Sequence, residues 1–259
     1  MTTFKVVIPA RLASTRLPEK PLADVAGKPL VTRVWERAYD AGADEVIVAA
    51  DDTRIVDVVT ASGGRAVLTS PNHPSGTDRL AEVAASHGWR DDVIVVNLQG
   101  DEPLVPGALL RRLANALAEE PEAALATAAT PITEPRELFS PSAVKVVVDD
   151  RGLALTFSRA PIPWARDAFG PLLRAEPPNE LPKGVPYLRH LGLYAYRVST
   201  LKLLASTPPA AIEKAESLEQ LRALAIGLRI HVTVLDQAPP PGVDTPEDLE
   251  RVRALFAPR

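Results

Sequence analysis

The chain has 259 residues, 46% apolar and 24% charged, enough for one large α/β domain or two smaller ones with a sizeable core. Its 29 Lys and Arg against 33 Asp and Glu leave a net charge of −4, which argues against a generally basic nucleic-acid-coating surface but permits a local cationic cluster. With no cysteine, disulfides, thiolate metal sites and cysteine nucleophiles are excluded.

No apolar run approaches the roughly 18–20 residues of a membrane span. The opening MTTFKVVIPAR is strand-like and lacks a signal peptide's long apolar stretch, so a cytoplasmic location is expected. The four histidines, at 73, 87, 190 and 231, lack the i, i+4 spacing of a zinc protease.

In chain order, residues 4–8 predict a buried strand. A polar loop follows, and Pro29 is expected to open an amphipathic helix that runs to about Ala41 and stops at Gly42. Glu45–Ala50 reads as the second strand, Thr53–Ala61 as the second helix and Arg65–Leu68 as the third strand. A helix over 78–89 and a strand over 92–98 continue the alternation.

This spacing of continuous apolar strands predicts a doubly wound α/β fold with a mostly parallel sheet covered on both faces. In such sheets ligands bind beyond the carboxyl ends of the strands, which selects residues 9–21, 70–79 and 99–103. Past about 130, strands over 144–148, 153–157 and 187–196 are joined by Pro-rich loops. A helix over 212–225, a strand over 229–235 and a capped helix from Thr245 to Phe256 complete the expected elements. The expected organisation is a nucleotide-binding core of residues 1–130 and 229–259, with a smaller mixed-strand lid and dimerisation region over 131–228.

Four segments carry chemistry. The loop after the first strand holds Arg11, Ser14, Thr15, Arg16 and Lys20, cations suited to phosphate oxygens, and is neither a P-loop nor a dinucleotide fingerprint. Gln99-Gly100-Asp101-Glu102-Pro103 ends the most strand-like run, where Asp101 is suited to Mg²⁺, although Gly-Asp is also ordinary turn chemistry. Asp244 precedes the last helix, whose Thr-Pro-Glu-Asp start is sound capping whatever the function; with Asp101 it forms a candidate metal pair for nucleotidyl transfer. Ser75-Gly76-Thr77-Asp78-Arg79 enters a helix and reads equally as a ribose or base contact or as a cap at Thr77.

The segments IPARLASTRLPEKPL, SGTDRLAEV, VNLQGDEP, AVKVVVDDRGLALTFSRAPIPW, RHLGLYAYR, LEQLRAL and GVDTPEDLERVR together resemble the 3-deoxy-manno-octulosonate (KDO) cytidylyltransferases, nearly end to end and in order. The resemblance implies a nucleotide-diphospho-sugar transferase fold and Mg²⁺-dependent transfer of CMP from CTP to KDO, with release of pyrophosphate, for lipopolysaccharide synthesis. It also implies a homodimer. By the same resemblance, Arg11 and Lys20 hold the CTP phosphates, with Pro9, Ala10, Ser14 and Arg16 completing that loop. Ser75, Gly76, Arg79 and Gln99 lie near the nucleoside, and Asp101 and Asp244 hold magnesium. Gln99, Arg159, His190, Tyr194, Glu219 and Gln220 line the sugar-acid site.

Arg159 is expected to pair with the sugar carboxylate; His190, Tyr194, Glu219 and Gln220 also read as ordinary strand or helix-surface residues. A related sugar acid, amino-KDO or sialic acid, is the alternative substrate. The family's usual LPGKPL is LPEKPL here, and Glu19 is expected to face solvent, away from phosphate.

Overall fold

In a computed structural model, residues 2–14, 16–170 and 177–257 are described; Thr15 and part of the Pro-rich loop before 186 lie outside them. From the N-terminus, β1 (Lys5–Ala10) leads through a 3-10 turn at Lys20–Leu22 and a small ribbon, β2 (Asp24–Val25) and β3 (Lys28–Pro29), into α1 (Leu30–Tyr39). Next come β4 (Glu45–Ala50), α2 (Thr53–Ala61), β5 (Arg65–Leu68), α3 (Gly76–Ser86), β6 (Ile94–Asn97) and α4 (Gly107–Glu119). Then follow β7 (Ala123–Pro131), α5 (Pro135–Leu138), β8 (Lys145–Val148), β9 (Ala154–Ser158) and α6 (Arg166–Phe169). The last elements are β10 (Leu188–Arg197), α7 (Val198–Ser206), α8 (Ala211–Glu216), α9 (Gln220–Ala225), β11 (Arg229–Val234) and α10 (Pro246–Phe256).

The chain divides into two compact units. The first comprises Met1–Ala118, Leu193–Ser206 and Pro239–Arg259, and the second Glu119–Gly192 and Thr207–Ala238. These limits differ from the expected division: β7 and β11 fall in the second unit, and α7 in the first.

In the first unit β5, β4, β1 and β6 lie side by side and parallel, with Val7 opposite both Ile47 and Asn97. The β-branched residues of β1, β4 and β6 are buried on both faces, which is why these strands read as unbroken apolar runs. The C-terminal half of β10 adds an antiparallel strand, pairing Tyr194 with Asn97, so the sheet is mostly rather than wholly parallel. A second cluster of Val25, Leu30, Val243, Leu249 and Val252 fastens the C-terminal segment to the start of α1.

In the second unit β11 runs parallel to β7, and β8 pairs antiparallel with both β9 and the first residues of β10. Ile132, Leu138, Phe169 and Tyr187 form a separate apolar cluster beside them. No described helix is long and apolar enough to cross a membrane.

Several expected boundaries move. Pro29 closes β3 and occupies the N-cap of α1 instead of its first turn. The helix expected over 78–89 begins at Gly76, and its cap is Ser75, while Thr77 is buried. The helix expected over 212–225 is two helices, because Ser217 takes a left-handed φ of 51° between them.

Candidate active site

The first unit draws together residues from both ends of the chain. Gly100 lies where a Cβ would stand 2.7 Å from the Pro9 carbonyl, so the loop after β6 closes directly onto the end of β1. Gly242 does the same one layer on: a Cβ there would sit 2.6 Å from the Asp101 carbonyl, and Val243 N–H donates to that carbonyl at 2.8 Å. Asp248 Oδ2 accepts from the main-chain N–H groups of Asp244 and Thr245, both at 3.1 Å, completing the capping box of α10. Asp244 is thereby delivered beside Asp101.

Between the two carboxylates stands Lys20. Its Nζ donates to Asp101 Oδ2 at 2.6 Å and to Asp244 Oδ1 at 3.2 Å, and Arg16 Nη2 lies 3.1 Å from the same Asp244 oxygen. Burial works against the ammonium charge, yet the two carboxylates hold its pKa above the ordinary lysine value. Glu102, half-buried beside Gly242, has its carboxyl pushed up to about 7 by burial and by the charges of Asp101 and Asp244. In the sequence, adjacency to Asp101 is the one signal that points to Glu102.

Arg11 is committed elsewhere in the loop system: its Nη2 donates to the His73 carbonyl at 2.7 Å. The 70–75 segment is in turn tied to α3, where Glu82 Oε2 accepts from Ser70 N–H at 3.0 Å and meets the His73 ring. Ser75 caps α3 by exchanging hydrogen bonds with Asp78, and Gly76 opens the helix where a Cβ would stand 3.7 Å from the Pro9 ring. Arg79 is wholly buried; it donates to Thr69 Oγ1, while its Nε and Nη2 have no hydrogen-bond partner among the described residues. Asp51, which no sequence motif marks, anchors this corner by accepting from Leu12 N–H at 2.9 Å and facing Arg79 Nη2 at 4.0 Å. Ala10 is buried, Pro9 and Ser14 are half-buried, and Gln99 is exposed.

Glu19 points outward: its side chain is 57% exposed and Oε1 accepts from Arg54 Nη1 at 2.6 Å. Its φ of 52° is the left-handed conformation that a glycine adopts without a Cβ penalty, which accounts for a glycine being usual there.

The second unit carries most of the other candidates. Arg159 Nε, Nη1 and Nη2 donate to the carbonyls of Glu216, Pro141 and Ser217 at 2.7, 2.9 and 3.4 Å. This guanidinium is therefore largely engaged by main chain, leaving two of its five N–H groups without a partner among the described residues. His190 Nε2 lies 3.0 Å from Thr127 Oγ1, its ring packs edge-on against Phe157, and desolvation pushes its pKa down to about 3. Glu219 is the N-cap of α9 and Gln220 its first residue, and Gln220 Nε2 is buried with no hydrogen-bond partner among the described residues. Tyr194 belongs to the first unit, buried on β10 with its ring 5.6 Å from that of Tyr196. Lys145, which reads in sequence as an ordinary strand lysine, is fully buried and donates to the carbonyls of Ser140, Ala143 and Arg159 at 2.8, 2.5 and 2.6 Å.

Asp101 and Asp244 offer hard oxygens that already converge on one cation, which suits Mg²⁺, an ion commonly held by one or two carboxylates plus substrate phosphates. Among the described residues no group of three or more His, Cys, Asp or Glu forms a self-sufficient cage, so such an ion fits as a guest shared with phosphate.

A parallel sheet whose strand ends gather cations around two carboxylates is the architecture of an α/β enzyme that handles phosphorylated nucleotides. The chain belongs to the cytidylyltransferase family, whose model matches residues 5–230. It is similar to a solved structure of a CMP:2-keto-3-deoxy-manno-octonic acid synthetase complexed with CTP: 44% identity, 98% of each chain covered, TM-score 0.86.

Proposed function

We propose that this enzyme transfers the cytidylyl group of CTP to KDO, giving CMP-KDO and pyrophosphate. The observation that carries the reading is the meeting of Lys20, Arg16, Asp101 and Asp244 in a chain of this family so similar to a synthetase that binds CTP.

The sugar's anomeric hydroxyl attacks the α-phosphorus in line; the new P–O bond forms as the bond to the β-phosphate oxygen breaks, and the hydroxyl proton is released. No covalent enzyme intermediate is needed, so catalysis consists of positioning and charge stabilisation. Lys20, Arg16 and Arg11 supply fixed positive charge to the triphosphate, with Lys20 exchanging carboxylate partners for phosphate oxygens. Asp101 and Asp244 would hold Mg²⁺, which when bound adds charge on the phosphate oxygens. Pro9, Ala10 and Ser14 form the loop wall, and Ser75, Gly76, Arg79 and Gln99 serve the nucleoside. Buried donors on Arg79 that lack partners support a polar ligand at that corner.

Arg159, His190, Tyr194, Glu219 and Gln220 are the residues proposed for the sugar acid. His190 would act as a neutral hydrogen-bonding group, given its depressed pKa, and Gln220 through its buried amide N–H. The assembly is a homodimer in the cytoplasm.

Pyrophosphate release from CTP and Mg²⁺ with KDO, amino-KDO or sialic acid tests the reading. Turnover with KDO at the highest kcat/KM is expected; turnover with sialic acid and none with KDO overturns it. Sedimentation of the purified chain tests the dimer.

A further inference from the structure

The turn at the end of β9 is fixed from every side. Ser158 Oγ donates to Glu216 Oε1 at 2.6 Å, and the Arg159 main-chain N–H donates to Glu216 Oε2 at 2.9 Å. The grip is reciprocal, because the Arg159 guanidinium returns to the carbonyls of Glu216 and Ser217. From the other side Lys145 Nζ holds the Arg159 carbonyl. Arg159 is thus tied at its N–H, its C=O and its side chain, and one residue, Glu216, takes part through both its carboxylate and its main chain.

Glu216 also stands at a break in the chain. It ends α8; Ser217 follows in the left-handed conformation; α9 starts at Gln220. Across the break, the buried Glu213 carboxylate accepts a forked pair from Arg222 Nε and Nη2 at 2.9 and 2.5 Å. The angle between α8 and α9 is therefore set by two polar clamps: Glu213 with Arg222, and Glu216 with Ser158 and Arg159.

We propose that Glu216 is a positioning residue for the sugar-acid half of the reaction, holding Arg159 and the α8–α9 break, which carries Glu219 and Gln220, in one arrangement. This rests on the assignment of those three residues to the sugar acid. Glu216 is not a ligand itself: a carboxylate repels an anionic sugar acid, and both of its oxygens are already occupied by Ser158 and Arg159. Its hydrogen bonds to these groups hold its carboxyl below the usual glutamate range, so it is charged throughout the working pH range.

The test is steady-state kinetics on the full-length enzyme with Glu216→Ala and Glu216→Gln. Glu216→Ala is expected to raise the KM for the sugar acid about tenfold and to leave the KM for CTP within about twofold. Glu216→Gln is expected to stay within about threefold of wild type, because its amide oxygen still accepts from Arg159 N–H and its amide nitrogen can donate to Ser158 Oγ. An unchanged sugar-acid KM in Glu216→Ala, an equal rise in both KM values, or a Gln variant as impaired as the Ala variant overturns the proposal. Should Glu216→Ala fail to fold, Ser158→Ala must show the same split, smaller in size; an equal rise in both KM values, or none, overturns it. A wild type that turns over a different sugar acid overturns the KDO reading alone, and the split is then measured with that acid.

Discussion

Lys20 and Lys145 are both drawn out of solvent, and the two units treat them in opposite ways. In the first unit Lys20 faces two carboxylates, which raise its pKa despite burial. In the second, Lys145 faces three main-chain carbonyls, and desolvation lowers its pKa. On the proposed function, formal charges can change partners when a triphosphate binds; carbonyls of a folded turn have no such freedom. The first lysine is placed for exchange and the second for permanence, and the same contrast separates the half-exposed Arg16–Asp244 pair from the Glu213–Arg222 fork.

The contrast is sharpened most by the carboxylates. Asp101→Ala or Asp244→Ala should lower kcat by about a thousandfold while leaving the fold intact, since each removes charge from an exchangeable cluster. Near-normal rates with either variant at limiting Mg²⁺ would break the assignment. Lys145→Met should cost about 2–4 kcal/mol in thermal or denaturant unfolding, because three carbonyls lose their donor. Lys20→Met should instead lower turnover with a much smaller loss of stability, and reversed outcomes for the two lysines would break the comparison.

Glu102 offers a pH-resolved version. Its folded pKa, about 7, lies above the ordinary 4.5, so its contribution to stability is complete below pH 4.5 and lost as pH rises through 7. Glu102→Gln should therefore gain roughly 1–3 kcal/mol relative to wild type between pH 4.5 and 8, measured without nucleotide or metal. A pH-independent difference would place the carboxyl in water. The smallest effect belongs to Glu19→Gly, which relieves a left-handed residue but loses an exposed ion pair. Stability should change by less than about 1 kcal/mol, and the KM for CTP by less than about twofold.

Where strands are Val- and Ile-rich and bounded by loops, sequence and structure coincide: β4, β5 and α2 have the expected limits. β7 was not legible, because AALATAATP has the helix propensity of alanine and becomes a strand through tertiary pairing, with β11 on one side. The break at Ser217 carries no Gly or Pro signal and is imposed by the clamps around it. The family resemblance singled out Asp101, Asp244 and Lys20; it did not reveal that the lysine occupies the gap between the acids, a fact of tertiary packing through Gly100 and Gly242. Lys145 and Glu216 escaped notice for the same reason, since their side chains pair with main-chain carbonyls and N–H groups that every sequence contains, with the Ser158 hydroxyl as the one exception.

The bond from Val243 to the Asp101 carbonyl makes the C-terminal stretch a structural inspector of the whole chain. Because Pro239–Arg259 belongs to the first unit although the second is spelled out before it, a polypeptide truncated anywhere in the second unit keeps Lys20 and Asp101 but lacks Asp244. On the proposed assignment, a chain lacking that last segment is expected to transfer no cytidylyl group, although its Lys20–Asp101 pair remains.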